Sequence, residues 1–252
     1  MESPYASQPI ERWRSITESL VEAHPLKLAT IRDVTLSAWQ LLWETKIGVG
    51  ATAIELANLD VPATVVGYFL EKLLAQALAT RFPDEWRGQQ SKDDKDLVYI
   101  PDPSFSAEMK CSGQGGTRIY GNRSYGQELM DLARTAKDKS GYYLTVNFYG
   151  QTITLIRFGW IDAGDWKPQR SATGQMAGLA DSVYEHKLVM VPGEYQLMAP
   201  VWTLPGLGAV GAARLSECGI RTVGDLCRYE EPLPERLQRC RRAALQFVSF
   251  GA

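Results

Sequence analysis

Histidine is almost missing from this sequence: His24 and His186 are the whole supply among 252 residues. Zinc sites built on imidazoles, HExxH proteases and nucleases with a histidine base are therefore poorly provided for. No GxSxG and no GxxxxGK[ST] occurs, which excludes a hydrolase elbow and a P-loop. The four cysteines, Cys111, Cys218, Cys227 and Cys240, form no CxxC pair. Free thiols in a reducing cytosol are expected. No apolar run reaches the length of a membrane span, and "MESPYASQPIERW" lacks a basic region followed by an apolar stretch. A cytoplasmic protein with no membrane partner is expected. Net charge is also scarce, at −2, so the total does not point to nucleic acid. Any catalysis falls to carboxylates and lysines, a donor set that suits Mg²⁺.

What is present can build a large core. Hydrophobic residues make up 45% of the chain, enough for one large domain, or a main domain with a small appendage. Residues 9–82 read as helical. "IERWRSITESLVEA" puts Ile10, Trp13, Ile16, Leu20 and Val21 on one face, and "TIRDVTLSAWQLLWETK" does the same with Ile31, Val34, Ala38, Leu41 and Leu42. After Pro62 comes a longer apolar helix. The pattern then becomes strand-like: "DLVYI" and "SFSAEMKC" around the turn "PDPS", then "GYYLTVNFY" and "TITLIRFGW" around Gly150-Gln151. "ELMDLARTAKDK" and "MAGLADSVYEHK" read as helices, "IDAGDWKPQRSATGQ" as a loop and "LVMVP" as a short strand. The expected fold is α/β: a mixed-sheet core flanked by helices over residues 1–195, with a helical lead-in, and a small helical module over 196–252.

Charge is uneven locally. Residues 110–141 hold six basic side chains against three acidic ones, and residues 205–252 hold seven arginines against five acids. A phosphate backbone responds to such patches more than to the total.

The acids of "DKDLVYIPDPSFSAEMK", residues 94–110, are the most informative feature. Alternation puts Glu108 and Lys110 on one face of a strand, with Phe105, Ala107 and Met109 on the other. Reversal around 101–104 brings position 96 opposite 109 or 110, so Asp96 joins Glu108 and Lys110. Asp102 is left at the turn. Two adjacent carboxylates repel without a cation, and Mg²⁺ takes one or two carboxylates plus water and phosphate oxygen. With a lysine beside them, such a group suits phosphodiester hydrolysis. A surface hairpin with a solvated Glu–Lys pair would be written in the same letters.

The hairpin resembles the active-site hairpin of the PD-(D/E)xK nucleases. "KDLVYIPDPSFSAEMKCSG", "YGNRSYG", "SGYYLTVNFYG", "IRFGWIDAGDW" and "ATGQMAGL" are together similar to the ScaI family of type II restriction endonucleases. The resemblance implies a restriction-endonuclease-like fold and Mg²⁺-dependent cleavage of double-stranded DNA leaving 5′-phosphates. It implies Asp96, Glu108 and Lys110 as catalytic residues, with Asp96, Glu108 and the Met109 carbonyl on the metal. An acid from the preceding helix is also implied, and Glu71, which stands off that helix's polar stripe, fits. The literal "PD" is Pro101-Asp102, a departure that hairpin geometry resolves in favour of Asp96. A homodimer would match a palindromic target.

Two further segments suit DNA. The glycine-rich loop after Lys110 offers Gln114, Arg118, Asn122 and Arg123 to phosphates or base edges. "LPGLG" followed by "AARL" resembles a helix-hairpin-helix motif, with Gly206 and Gly208 as close-approach glycines at a helix N-terminus, and Thr222 with Asp225 can cap the next helix. A structure-specific repair or recombination nuclease, or a non-enzymatic helix-hairpin-helix DNA-binding module, would share these features.

Overall fold

A computed structural model of the chain describes residues 2–122, 125, 139–168, 176–204 and 206–249. Three helices lead: α1 (Ile10–Ala23), α2 (Leu28–Glu44) and α3 (Ala63–Arg81). Pro25 follows the end of α1, and Pro62 stands at the N-cap of α3, where its missing N–H costs nothing. Between α2 and α3 lies a short hairpin, β1 (Lys46–Ile47) and β2 (Ile54–Glu55).

The strands that follow are β3 (Trp86–Gly88), β4 (Leu97–Tyr99), β5 (Ala107–Ser112), β6 (Gly121–Asn122), β7 (Gly141–Tyr149), β8 (Thr152–Ile161), β9 (Trp166–Pro168), β10 (Met176–Leu179) and β11 (Leu188–Met190). The main sheet has the order β11-β8-β7-β5-β4-β3, with β5 and β7 parallel and the other neighbours antiparallel. This is the expected α/β class with a mixed sheet. β7 is buried along all but its last residue, as a central strand covered on both faces should be. Its two-residue turn into β8 uses Gly150 at φ 54°, a conformation glycine adopts without strain.

One face of the sheet is apolar. Ala107, Met109, Tyr142, Leu144, Val146, Ile156 and Phe158 pack there against α1, α2 and α3. The other face is polar along its middle: Glu108, Lys110, Tyr143, Thr145, Asn147 and Arg157. A smaller sheet, β6-β10-β9, lies over it with Ile119, Trp166, Ala177, Leu179 and Val183. α4 (Asp181–His186) precedes β11.

The C-terminal helices α5 (Ala209–Glu217), α6 (Val223–Arg228) and α7 (Glu235–Ser249) form a cluster of their own around Leu204, Leu207, Leu215, Ile220, Leu226 and Leu237. Thr222 and Asp225 make the expected capping box of α6. Among the described residues no helix is long and apolar enough to cross a membrane.

Some expectations change. Met176–Leu179 is a strand, because Ala177 and Leu179 pair with β9 and Met176 with Asn122. Pairing with distant segments has overridden local helix preference. Trp166–Pro168, expected in a loop, is the partner strand. Ile10 and Leu41, expected on buried faces, are exposed at 40% and 52%. The helix expected at 128–139 lies, but for Lys139, outside the described residues.

Candidate active site

The hairpin register differs by one or two residues from the sequence expectation. Leu97 pairs with Ala107, which sets Asp96 across from Glu108 rather than from 109 or 110. The reversal centres on Asp102, which caps the Pro103–Phe105 turn by accepting from the Ser104 amide at 2.9 Å. Ser106 Oγ accepts from the Tyr99 amide at 3.1 Å, a side chain closing the hairpin where the ladder stops. Asp102 is therefore exposed turn chemistry, away from the other acids.

Asp96 and Glu108 are 7% and 5% exposed, which excludes a solvated surface hairpin. Asp96 Oδ2 accepts from the Met109 amide at 2.8 Å. The Lys110 ammonium donates to Glu108 Oε1 at 2.9 Å and to the Met109 carbonyl at 2.8 Å, and lies 4.0 Å from Asp96 Oδ2. The three oxygens proposed from sequence as metal ligands thus converge on one cation of the protein itself.

Burial, then the charge of Glu108, pushes the Asp96 carboxyl up from 3.8 to about 6. Burial favours neutral Lys110, but Glu108 and Asp96 outweigh it, so its pKa rises and it stays charged. A permanently charged lysine orients and neutralises rather than taking a proton.

Glu71 comes from α3. Where that helix crosses β5, a Cβ on Gly67 would lie 2.9 Å from Cys111 Cβ, so glycine permits the close approach. One turn on, Glu71 is near enough for its charge to raise the Asp96 carboxyl further. It is paired with Lys72 at 2.7 Å.

Tyr125 was not found by sequence reasoning. Its hydroxyl donates to Glu108 Oε1 at 2.7 Å. A tyrosine in a glycine-rich loop carries no local signal for such a contact. Arg157 and Asn147, read as core-strand residues, also do more than fill the sheet. Arg157 donates to Asn147 Oδ1 at 2.9 Å and to the Thr117 carbonyl, and Asn147 donates to the Arg118 carbonyl at 2.9 Å. Both strands thereby anchor the loop that leaves β5. Burial lowers the Arg157 guanidinium to about 10, still a cation at neutral pH.

Gln114 and Asn122 line an open groove of about 330 Å³ at the end of β5, shared with Ser112, Tyr120 and Met176. Arg118 is at the surface and paired with Asp181 at 2.7 Å. Arg123 lies outside the described residues. Gly206 has φ 79° and lines a second open groove with Arg236 and Arg239; Arg236 donates to its carbonyl at 3.1 Å. Gly208 is the N-cap of α5. The helical turn before this hairpin is the three-residue 3₁₀ turn Val201–Thr203.

The donor set fits a hard divalent cation. Among the described residues no three His, Cys, Asp or Glu side chains are grouped to hold a metal. The protein would offer two carboxylates and one carbonyl, leaving the remaining positions to water and phosphate oxygen, which is how Mg²⁺ is commonly held.

The model of the ScaI restriction endonuclease family matches residues 3–192. The chain is 35% identical over 199 residues to the type II restriction enzyme ScaI of Streptomyces caespitosus, a match covering 75% of this chain and 85% of that protein. No solved structure shows a significant match.

Proposed function

The chain belongs to the ScaI restriction endonuclease family and is a site-specific deoxyribonuclease acting on double-stranded DNA; from that premise we propose that it hydrolyses phosphodiester bonds with Mg²⁺ at Asp96, Glu108 and Lys110, leaving 5′-phosphates. The observation that carries this reading is the convergence of Asp96, Glu108 and the Met109 carbonyl on the Lys110 ammonium.

Asp96, Glu108 and the Met109 carbonyl would hold the cation, and Glu71 would add negative charge from α3. Bound Mg²⁺ supplies charge neutralisation at the phosphodiester and a more acidic water. Lys110, charged and next to these oxygens, orients the attacking water and offsets charge that develops on the phosphorane-like transition state. Gln114, Arg118, Asn122 and Arg123 are proposed to contact DNA from the loop that begins where β5 ends. The C-terminal module, residues 196–252, is proposed to add a phosphate contact at Gly206 and Gly208, with Arg236 and Arg239 beside them. A homodimer would place one such site on each strand of a symmetric target.

The test is cleavage of plasmid DNA with Mg²⁺, with two substitutions compared. Discrete fragments from the wild type, none from Asp96→Ala and normal fragments from Asp102→Ala are expected. Normal cutting by Asp96→Ala would remove Asp96 from the site. Smearing, or cutting of branched DNA only, would favour a repair nuclease.

A further inference from the structure

We propose that Tyr125 is a positioning residue for Glu108, and that the small sheet β6-β10-β9 controls this carboxylate by seating the tyrosine ring. The inference rests on the reading that Glu108 acts in the active site.

The hydroxyl of Tyr125 reaches the same oxygen of Glu108 that Lys110 holds, at 2.7 Å against 2.9 Å. Two donors on one oxygen fix the rotation of the carboxylate better than either alone. Glu108 itself is held in the main sheet, beside Tyr143 in the parallel register of β5 and β7. The hydroxyl is thus tied to the main sheet.

The ring is tied to the other layer. Gly121 of β6 lies so close that a Cβ there would sit 2.9 Å from the ring's Cγ. Trp166 of β9 meets the ring edge-on, with centroids 4.8 Å apart. The ammonium groups of Lys110 and Lys139 lie 5.1 and 4.8 Å from the ring centroid. Tyr125 is therefore a bridge between the carboxylate and the small sheet. That sheet also carries Asn122, paired with Met176 at the rim of the groove. A displacement of β6 moves the ring, and the hydroxyl moves with it.

The experiment uses the full chain, a plasmid that it cuts, and single-turnover rates over a range of Mg²⁺ concentrations. The proteins are the wild type, Tyr125→Phe, Gly121→Ala, the double variant and Glu108→Ala. Tyr125→Phe keeps the ring and its packing, and loses only the hydroxyl. It is expected to cut about 10- to 100-fold more slowly, as for loss of a hydrogen bond to a charged group. It should need several-fold more Mg²⁺ for half its maximal rate, while binding DNA normally in EDTA. Gly121→Ala displaces the ring and should slow the wild type. Added to Tyr125→Phe, it should cost little more, because both act through one hydroxyl.

A Tyr125→Phe enzyme with the wild-type rate and Mg²⁺ requirement overturns the positioning role. A Gly121→Ala effect that is absent, or that persists in full in the double variant, overturns the control by the sheet. Glu108→Ala separates the two levels. If it cuts normally, the reading of the site is wrong; if it is dead while Tyr125→Phe is normal, only the role of Tyr125 falls.

Discussion

Replacing Asp96 with asparagine is expected to stabilise the metal-free protein at neutral pH while it abolishes cleavage. Burial and the charge of Glu108 raise the Asp96 carboxyl from 3.8 to about 6, a balance that already includes the opposing pull of Lys110. A folded-state value above the unfolded one means that ionisation opposes folding. The cost is absent below pH 3.8, grows as the pH rises to about 6, and is constant beyond. At about 1.4 kcal/mol per pH unit, it comes to about 3 kcal/mol above pH 7, with about half present at pH 5. Asparagine removes the charge but keeps an oxygen for the Met109 amide, which Asp96 accepts at 2.8 Å. The gain should appear as a rise in Tm of roughly 5–10 °C in EDTA at pH 8, and about half that at pH 5. Thermal and urea unfolding at both pH values measure it. Mg²⁺ should stabilise the wild type by binding the folded state, and leave Asp96→Asn almost unmoved. Loss of stability at pH 8, or an equal gain at both pH values, would refute the reasoning.

Three further outcomes are expected. His24 is fully buried, donating through Nε2 to the Phe105 carbonyl at 2.9 Å and accepting the Leu26 amide on Nδ1 at 3.0 Å. Burial holds it down to about 4, from 6.5. The unfolded chain therefore binds a proton first, and about 3 kcal/mol of stability should disappear as the pH falls from 6.5 to 4; an imidazole titrating near 6.5 by NMR contradicts this. Gly67→Ala sets a Cβ 2.9 Å from that of Cys111, and should cost about 1–3 kcal/mol in urea and slow cleavage by moving Glu71; Cys111→Gly in the same chain should restore both, and unchanged stability in the single variant counts against the packing argument. Arg239→Ala should reduce the slope of log Kd against log salt by about 1 if that groove holds a DNA phosphate, whereas an unchanged slope removes the groove from the DNA surface.

The site was legible where its chemistry is local. Strand alternation alone puts Glu108 and Lys110 on one face, and the buried row Ala107 and Met109 on the other is what holds that face in place. The position of Asp102 follows from proline-rich turn chemistry, since a residue that caps Ser104 cannot also face the strand. The register differs from the alternation-based expectation by one or two residues because a 3₁₀ turn and the Ser106 side chain, rather than backbone pairing, close the hairpin. Interactions between distant segments left no trace. Met176–Leu179 is a strand only because β6 and β9 flank it. Trp86–Gly88 is too short to show a period, yet it forms the sheet edge against β4. Lys187 reads as an ordinary helix-end lysine. In the fold it is 2% exposed, between Asp162 and Asp165 at 2.7 and 2.8 Å and the rings of Tyr5 and Trp13. Those partners lie more than 140 residues apart along the chain, at Tyr5 and Trp13 and at Asp162 and Asp165.

Charge counting around Lys110 connects the apoprotein to its proposed work. Asp96 and Glu108 contribute two negative charges and Lys110 one positive, so these three groups sum to −1; Glu71 is balanced by Lys72 at 2.7 Å, and Lys139 brings a further ammonium to the Tyr125 ring, 4.8 Å from its centroid. A divalent cation on these oxygens would turn the sum to +1, and one phosphodiester would bring it to zero. A divalent cation and a phosphodiester bound side by side in a site this buried would offset each other's charge, so each should raise the affinity for the other by the same factor. The same arithmetic gives Lys110 two duties. In the metal-free protein its ammonium keeps Asp96 and Glu108 together against their repulsion. Were a divalent cation held by these oxygens, the Lys110 ammonium would no longer be needed by Glu108 Oε1 and could turn to a water or a phosphate oxygen. Tyr125 then remains as the donor that keeps Glu108 in place, which is why the loss of its hydroxyl should be felt most when the metal is limiting.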